Sequence, residues 1–314
     1  MKAKRRRIIA IVLTALFVTA LLPEAAFAVS TNTQGNVMVS WPPLKKIANS
    51  LYGPDLKGKY ARSPYYDNDG ERKLNVIKSK KGQSYTFKTR YYLPVSARPG
   101  NKEEGWGSVQ SCMIVGNYLY TVIKAKKQKE THGRIIRYDM AKLDELGAAQ
   151  DPSFLRKHWK SIGVKNPDGE FETLLNEAIK IGPTFKMGHG QSLAYNWKTD
   201  EIWMWQDMSM KAAYYGNHPC VLQRIDQSTL KADKYLKFKM RTGSGVVVAS
   251  GHNLTFDTAG NFYFFAVTQT GAYPKGSAKV FKGQIRTGSK FKVKINIITT
   301  LINKGPGPVG QTIY

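Results

Sequence analysis

Four polar residues carry the side chains best suited to binding chemistry: Gln110, Gln191 and His252 open three similar stretches of sequence, and His189 stands just ahead of the second. Amides and imidazoles both donate and accept hydrogen bonds, so a ring of them suits sugar hydroxyls or phosphates. At repeat-equivalent positions the same groups also tie neighbouring units together through backbone contacts. The residue types alone leave both roles open. Aromatic rings supply a second candidate surface. Trp203, Trp205 and Phe264 alternate along strand-like runs and read as core, whereas Tyr214, Tyr215 and Tyr273 fall in the loops that follow, where exposed rings stack on sugar faces.

Catalytic patterns are scarce. Gly190-Gln191-Ser192-Leu193-Ala194 ends in Ala where a nucleophile elbow needs Gly, and it opens a strand rather than a helix. The chain has no H-E-x-x-H and no P-loop. Asp67-Asn68-Asp69-Gly70-Glu71 has part of a calcium-loop pattern, but Tyr65 and Val76 occupy its first and last ligand positions, which makes it a solvated turn. Cys112 and Cys220 have no metal-type spacing and sit at non-equivalent strand positions, so they are expected to remain unpaired, with no metal or cofactor bound. Asp200, Glu201 and Asp207 are the carboxylates a glycoside hydrolase would use, given a separation of roughly 5–10 Å.

The elements that position these residues repeat. Gln110 to Val115 with Tyr118-Leu119-Tyr120, Gln191 to Tyr195 with Ile202 to Trp205, and His252 to Phe256 with Phe262 to Phe265 are each a short strand, a Gly/Asn/Asp turn and an aromatic-rich strand. Turn chemistry and β-propensity make each a hairpin. A further strand follows each hairpin, at residues 133–139, 220–226 and 278–283. Successive antiparallel units must bury both faces and protect their edges, which radial repetition achieves. The expected fold is therefore all-β, a β-propeller of about five blades over residues 61–314. Residues 29–60 form an arm or ring-closing strand, and the stretches 73–78, 85–94 and 291–302 supply strands for further blades. Between the first two units, apolar residues at helical spacing (Phe154, Leu155, Trp159; Phe171, Leu174, Leu175, Ala178, Ile179) predict a short helical insertion around residues 151–182.

The segment Gly188-His189-Gly190-Gln191-Ser192-Leu193, with its surrounding hairpins, resembles the helveticin J family of large heat-labile antibacterial proteins, over roughly residues 105–285. The resemblance implies antibacterial activity against related Gram-positive cells on a propeller-like scaffold. It brings no catalytic residue with it.

The N-terminus and the charge give this expectation a location. Basic residues from Lys2 to Arg7, an uncharged run from Ile8 to Leu22 and Ala26-Phe27-Ala28 read as a secretory signal peptide, residues 1–28, so the protein is expected to be secreted, with no transmembrane segment in its mature form. That segment carries five of the 48 basic and one of the 22 acidic residues, which leaves a net charge of +22. Such a field gathers polyanions. The expected partners are anionic cell-envelope polymers or surface glycans of target bacteria. Lys78 to Lys81, Lys124 to Lys129 and Lys275 to Lys294 form a diffuse basic surface without a nucleic-acid module, so no specific nucleic acid is expected. The alternative functions are a cell-envelope glycoside hydrolase and a non-lethal sugar-binding propeller.

Overall fold

A computed structural model describes residues 29–39, 46–48, 74–78, 84–94, 107–124, 132–206, 220–241, 247–248, 253–267, 278–286 and 291–302. Three of its four sheets are built on consecutive antiparallel meanders of four strands. The first joins β5 (Ser108–Val115), β6 (Tyr118–Lys124), β7 (His132–Asp139) and β8 (Ile179–Ile181), with β9 (Phe185–Lys186) also on β7. The second joins β10 (Ala194–Asn196), β11 (Glu201–Trp205), β12 (Cys220–Ile225) and β13 (Ala232–Arg241), with β14 (Val247–Val248) on β13. The third joins β15 (Thr255–Phe256), β16 (Asn261–Val267), β17 (Ala278–Arg286) and β18 (Lys292–Ile302). β3 (Leu74–Lys78) and β4 (Ser84–Lys88) form a separate antiparallel pair.

The hairpins expected from the repeat are therefore present, each enlarged by a fourth strand. Alternation explains how the sheets stack. On β11, Ile202 and Met204 turn toward the first sheet, where they meet Tyr120, Val122 and Ile135, while Trp203 and Trp205 turn toward the third and meet Phe262, Phe264 and Phe281. The second sheet is thus buried on both faces, as its nearly continuous apolar sequence requires. First strands neighbour one another across the stack, β5 beside β10 and β10 beside β15. Gly283 fits the second of these cores closely: a Cβ there would come within 2.3 Å of the Phe262 ring.

The described parts of residues 29–60 pair in parallel: β1 (Ser30–Met38) runs along β13, and β2 (Lys46–Ala48) along β18. β1 also reaches the third sheet, because the Gln34 amide accepts from Val293 N at 2.6 Å and donates to Val293 O at 2.8 Å. One side chain thereby copies the pairing of a neighbouring strand.

The helical insertion forms, with different limits. α1 (Met140–Glu145) follows β7 directly, capped by the Asp139 carboxylate, which accepts from Ala141 N and Lys142 N; α2 (Phe154–Lys157), a 3-10 turn (Trp159–Ser161) and α3 (Glu170–Ala178) come after it. α3 ends at Ala178 because Ile179 to Ile181 pair with β7 as β8, so the helix expected to reach Gly182 gives its last residues to the sheet. Leu143, Ala148, Phe154, Leu155, Leu175 and Ala178 pack these helices on the outer face of the first sheet.

The turn between β12 and β13 gives a first prediction. Asp226 Oδ1 accepts from Ser228 N at 3.0 Å, Thr229 N at 2.6 Å and both hydroxyls, at 2.5 and 2.9 Å, and so holds buried Leu230 at φ +56. Burial alone would raise the Asp226 carboxyl, but these hydrogen bonds outweigh it and leave the group below its ordinary value. A depressed carboxyl contributes stability above its unfolded pKa, near 3.9, and that contribution is lost as pH falls through the folded value. Asp226→Ala is expected to cost about 1–2 kcal/mol at pH 7 by urea unfolding, and less at pH 3. Equal stability at pH 7 would show that the turn is held by its neighbours alone.

Candidate functional site

The 188–191 loop meets β5 where the first and second sheets adjoin. Gln110 sits in β5 where the register slips between Val109 and Ser111, a bulge that turns its side chain out of the ladder. Gly190 lies against it. A Cβ on Gly190, whose φ is +85, would stand 3.5 Å from the Gln110 Cβ and 2.8 Å from Val122 Cγ1, so only glycine brings the 188–191 loop this close. Ser111 Oγ completes the junction by donating to Gly190 O at 2.8 Å. Gly190 thus stands against Gln110 at the junction of the first and second sheets; of its neighbours, His189 is exposed and Gln191 half-buried.

The residue after each expected ring position has a clearer role. Ser192 Oγ accepts from Trp205 N at 2.8 Å, and Asn253 Oδ1 accepts from Phe265 N at 3.0 Å. These are equivalent bonds in consecutive sheets, in which a side chain replaces the ladder carbonyl just before β10 and β15 begin. His252, Tyr214, Tyr215 and Tyr273 lie outside the described residues, as do Asp207 and residues 1–28.

The acidic pair is already engaged. Asp200, at φ +53 in the β10–β11 turn, accepts from the Tyr195 hydroxyl and from Gln227 Nε2 at 3.3 Å, and these hydrogen bonds hold its carboxyl below the ordinary value. The same bond pushes the Tyr195 phenol up to about 12. Glu201 accepts from Arg224 Nη1 at 2.9 Å, Thr199 Oγ1 at 2.9 Å and Trp203 Nε1 at 3.2 Å. A general acid needs a proton to give and a general base a free lone pair aimed at solvent. Glu201, ion-paired and accepting three donors, meets neither need.

Two clefts open where the first and second sheets meet. The smaller, about 450 Å³, is lined by Tyr118, Tyr120, Arg137, Asp139, Asp200 and Gln227 among others. Arg137 lies over the Tyr118 ring at 4.7 Å, and Tyr120 meets that ring edge-on at 6.4 Å. Beside it on the β10–β11 turn, Trp197 is 58% exposed and packs edge-on against Tyr195 at 4.8 Å. The larger cleft, about 1090 Å³, runs between α3, β8 and the β12–β13 turn.

Sequence reasoning missed both clefts. The aromatic character of Tyr118 and Trp197 was visible, but the register that places them beside Asp200 was not. Among the described residues, no three His, Cys, Asp or Glu side chains gather as a metal site, and no helix is long and apolar enough to cross a membrane. Neither cysteine forms a disulfide; Cys112 is exposed and Cys220 buried. Comparison of the chain with protein-family models and with curated proteins finds no match.

Proposed function

We propose that this is a secreted cationic antibacterial protein that binds the envelope of competing Gram-positive bacteria, on a propeller in which the three meander sheets are consecutive blades. The charge carries the reading: a net +22 outside residues 1–28 attracts polyanions, and envelope polymers are the polyanions an exported protein meets. The resemblance of residues 188–193 to the helveticin J family supports the antibacterial part. The neighbouring first strands support the propeller. The helices on the outer face of the first sheet bound it, since a ring closing on that side must pass around them.

Attraction between exposed charges weakens as the Debye length falls from about 10 Å at 0.1 M salt to about 3 Å at 1 M. Binding of the protein to target cells is expected to fall more than about tenfold across that range, and to disappear on cells stripped of anionic wall polymers. Binding that survives both treatments would move the reading to neutral sugars at the smaller cleft and the exposed Trp197 ring outside it. Soluble fragments released from isolated walls would instead establish a hydrolase.

A further inference from the structure

The larger cleft holds a concentration of positive charge that no ion pair among the described residues neutralises. Arg134 on β7, Lys165 in the loop before α3, Lys180 on β8 and Lys231 after the β12–β13 turn all line it. Ion pairs among the described residues engage Arg90, Lys142, Lys157 and Arg224, and none of these four. The only carboxylate in the lining is Glu177, which Lys142 holds at 3.1 Å. Glu170 and Glu172, at the start of α3, lie outside the lining.

The neutral groups of the same walls are already bonded internally. Asn176 Oδ1 accepts from Gly163 N at 2.6 Å and its Nδ2 donates to Val164 O at 3.0 Å, while Thr173 Oγ1 donates to Gly169 O at 3.0 Å. The Ser228 and Thr229 hydroxyls donate to Asp226. A neutral sugar would find few free partners here. What the cleft offers is charge, carried by three separate segments of chain.

We propose that this cleft is a binding site for an extended phosphodiester polymer. Three of its four cations are lysines, whose ammonium groups act on phosphate as point charges and so follow a string of phosphates without demanding one fixed geometry. About 1090 Å³ is at the upper end of what encloses a single small ligand, and the cleft is open, so a chain lies along it with successive phosphates near successive cations. This rests on the envelope-binding reading for its biological source, but the site itself is tested without cells.

The experiment titrates glycerol phosphate oligomers into the full-length protein at several salt concentrations. A triple variant, Lys165→Gln with Lys180→Gln and Lys231→Gln, is compared with a control triple, Lys198→Gln with Lys292→Gln and Lys294→Gln, whose lysines are exposed elsewhere; unfolding midpoints confirm that both fold. The cleft triple is expected to bind at least about tenfold more weakly at low salt, with the slope of log K against log salt reduced by about 2, as losing three phosphate contacts implies. The control should change less than about threefold. Equal weakening in both triples overturns the site. Polyglutamate binding to the wild type as tightly as the phosphate oligomer overturns the phosphodiester assignment. A wild type that binds the oligomer through the cleft but does not bind cells refutes the envelope reading and leaves the site standing, whereas salt-sensitive cell binding unchanged in the cleft triple does the reverse.

Discussion

Trp205→Ala is expected to lower the unfolding free energy by about 3–5 kcal/mol, the cost of removing a large buried ring. Trp205 is fully buried between the second and third sheets, with ring centroids of Phe264, Phe238 and Phe262 at 5.0, 5.9 and 6.4 Å. Phe264 in turn stacks on Phe281 at 4.7 Å, so the cavity would open at the centre of an aromatic cluster drawn from β11, β13, β16 and β17. Strands fixed at both edges cannot collapse to fill it. Domains are stable by only about 5–15 kcal/mol, so this one change removes a large share. Trp205→Phe should cost much less, because the ring-on-ring contacts persist. Trp197→Ala, at an exposed turn position, should fall within about 0.5 kcal/mol of the wild type. Denaturant unfolding of the three variants measures this, and similar losses for Trp197 and Trp205 would refute the packing described between the sheets.

The contrast between the two tryptophans shows what was legible before any coordinates. Trp203 and Trp205 alternate with Ile202 and Met204 in a run too apolar for a half-exposed strand, and the turn residues Asn196 to Asp200 mark where it begins. Local signals of this kind placed the first three strands of every unit. Among the fourth strands, β18 falls in the stretch 291–302 already expected as a strand, while the other two escaped for different reasons. Leu236, Phe238 and Met240 alternate with lysines along β13, a period-2 signal present in the sequence, whereas Ile179 to Ile181 continue the apolar rhythm of α3 and become a strand only because β7 has a free edge. No local pattern could announce the parallel pairing of β1, whose partner lies some 200 residues away. The site divides in the same way. Gln110 and Gln191 are marked in the sequence by the repeat, whereas the larger cleft draws on residues 134, 163–183 and 228–231, which only the packing of helices beside a sheet edge brings together.

Arg224→Met tests the second large effect, which depends on register that no sequence pattern supplied. The Arg224 guanidinium bridges three strands: Nη1 donates to Glu201 on β11 at 2.9 Å, and Nε donates to Asp233 on β13 at 3.0 Å while Nη2 meets the other oxygen of that carboxylate. Its side chain is 23% exposed, and those of Glu201 and Asp233 are 15% and 20% exposed. Hydrogen bonding to Asp233 comes first among the effects that raise the Arg224 pKa, ahead of the burial that opposes it. Removing the cation strands two carboxylates in a part-buried position, which costs about 3–5 kcal/mol when burial is complete. With a fifth of each group still in water, a loss of about 2–3 kcal/mol at pH 7 is expected. Acid should shrink the difference, because once the carboxyls are protonated the stranded charges disappear. Arg224→Lys should fall between, since one ammonium cannot grip both carboxylates in the geometry of the fork. Replacing all three members by methionine should recover most of the loss, since an apolar group in place of a buried network is often near neutral. Urea midpoints for these variants at pH 7 and pH 3 decide the matter. A gap between Arg224→Met and the wild type that stays the same on acidification would mean that the arginine acts through packing rather than charge.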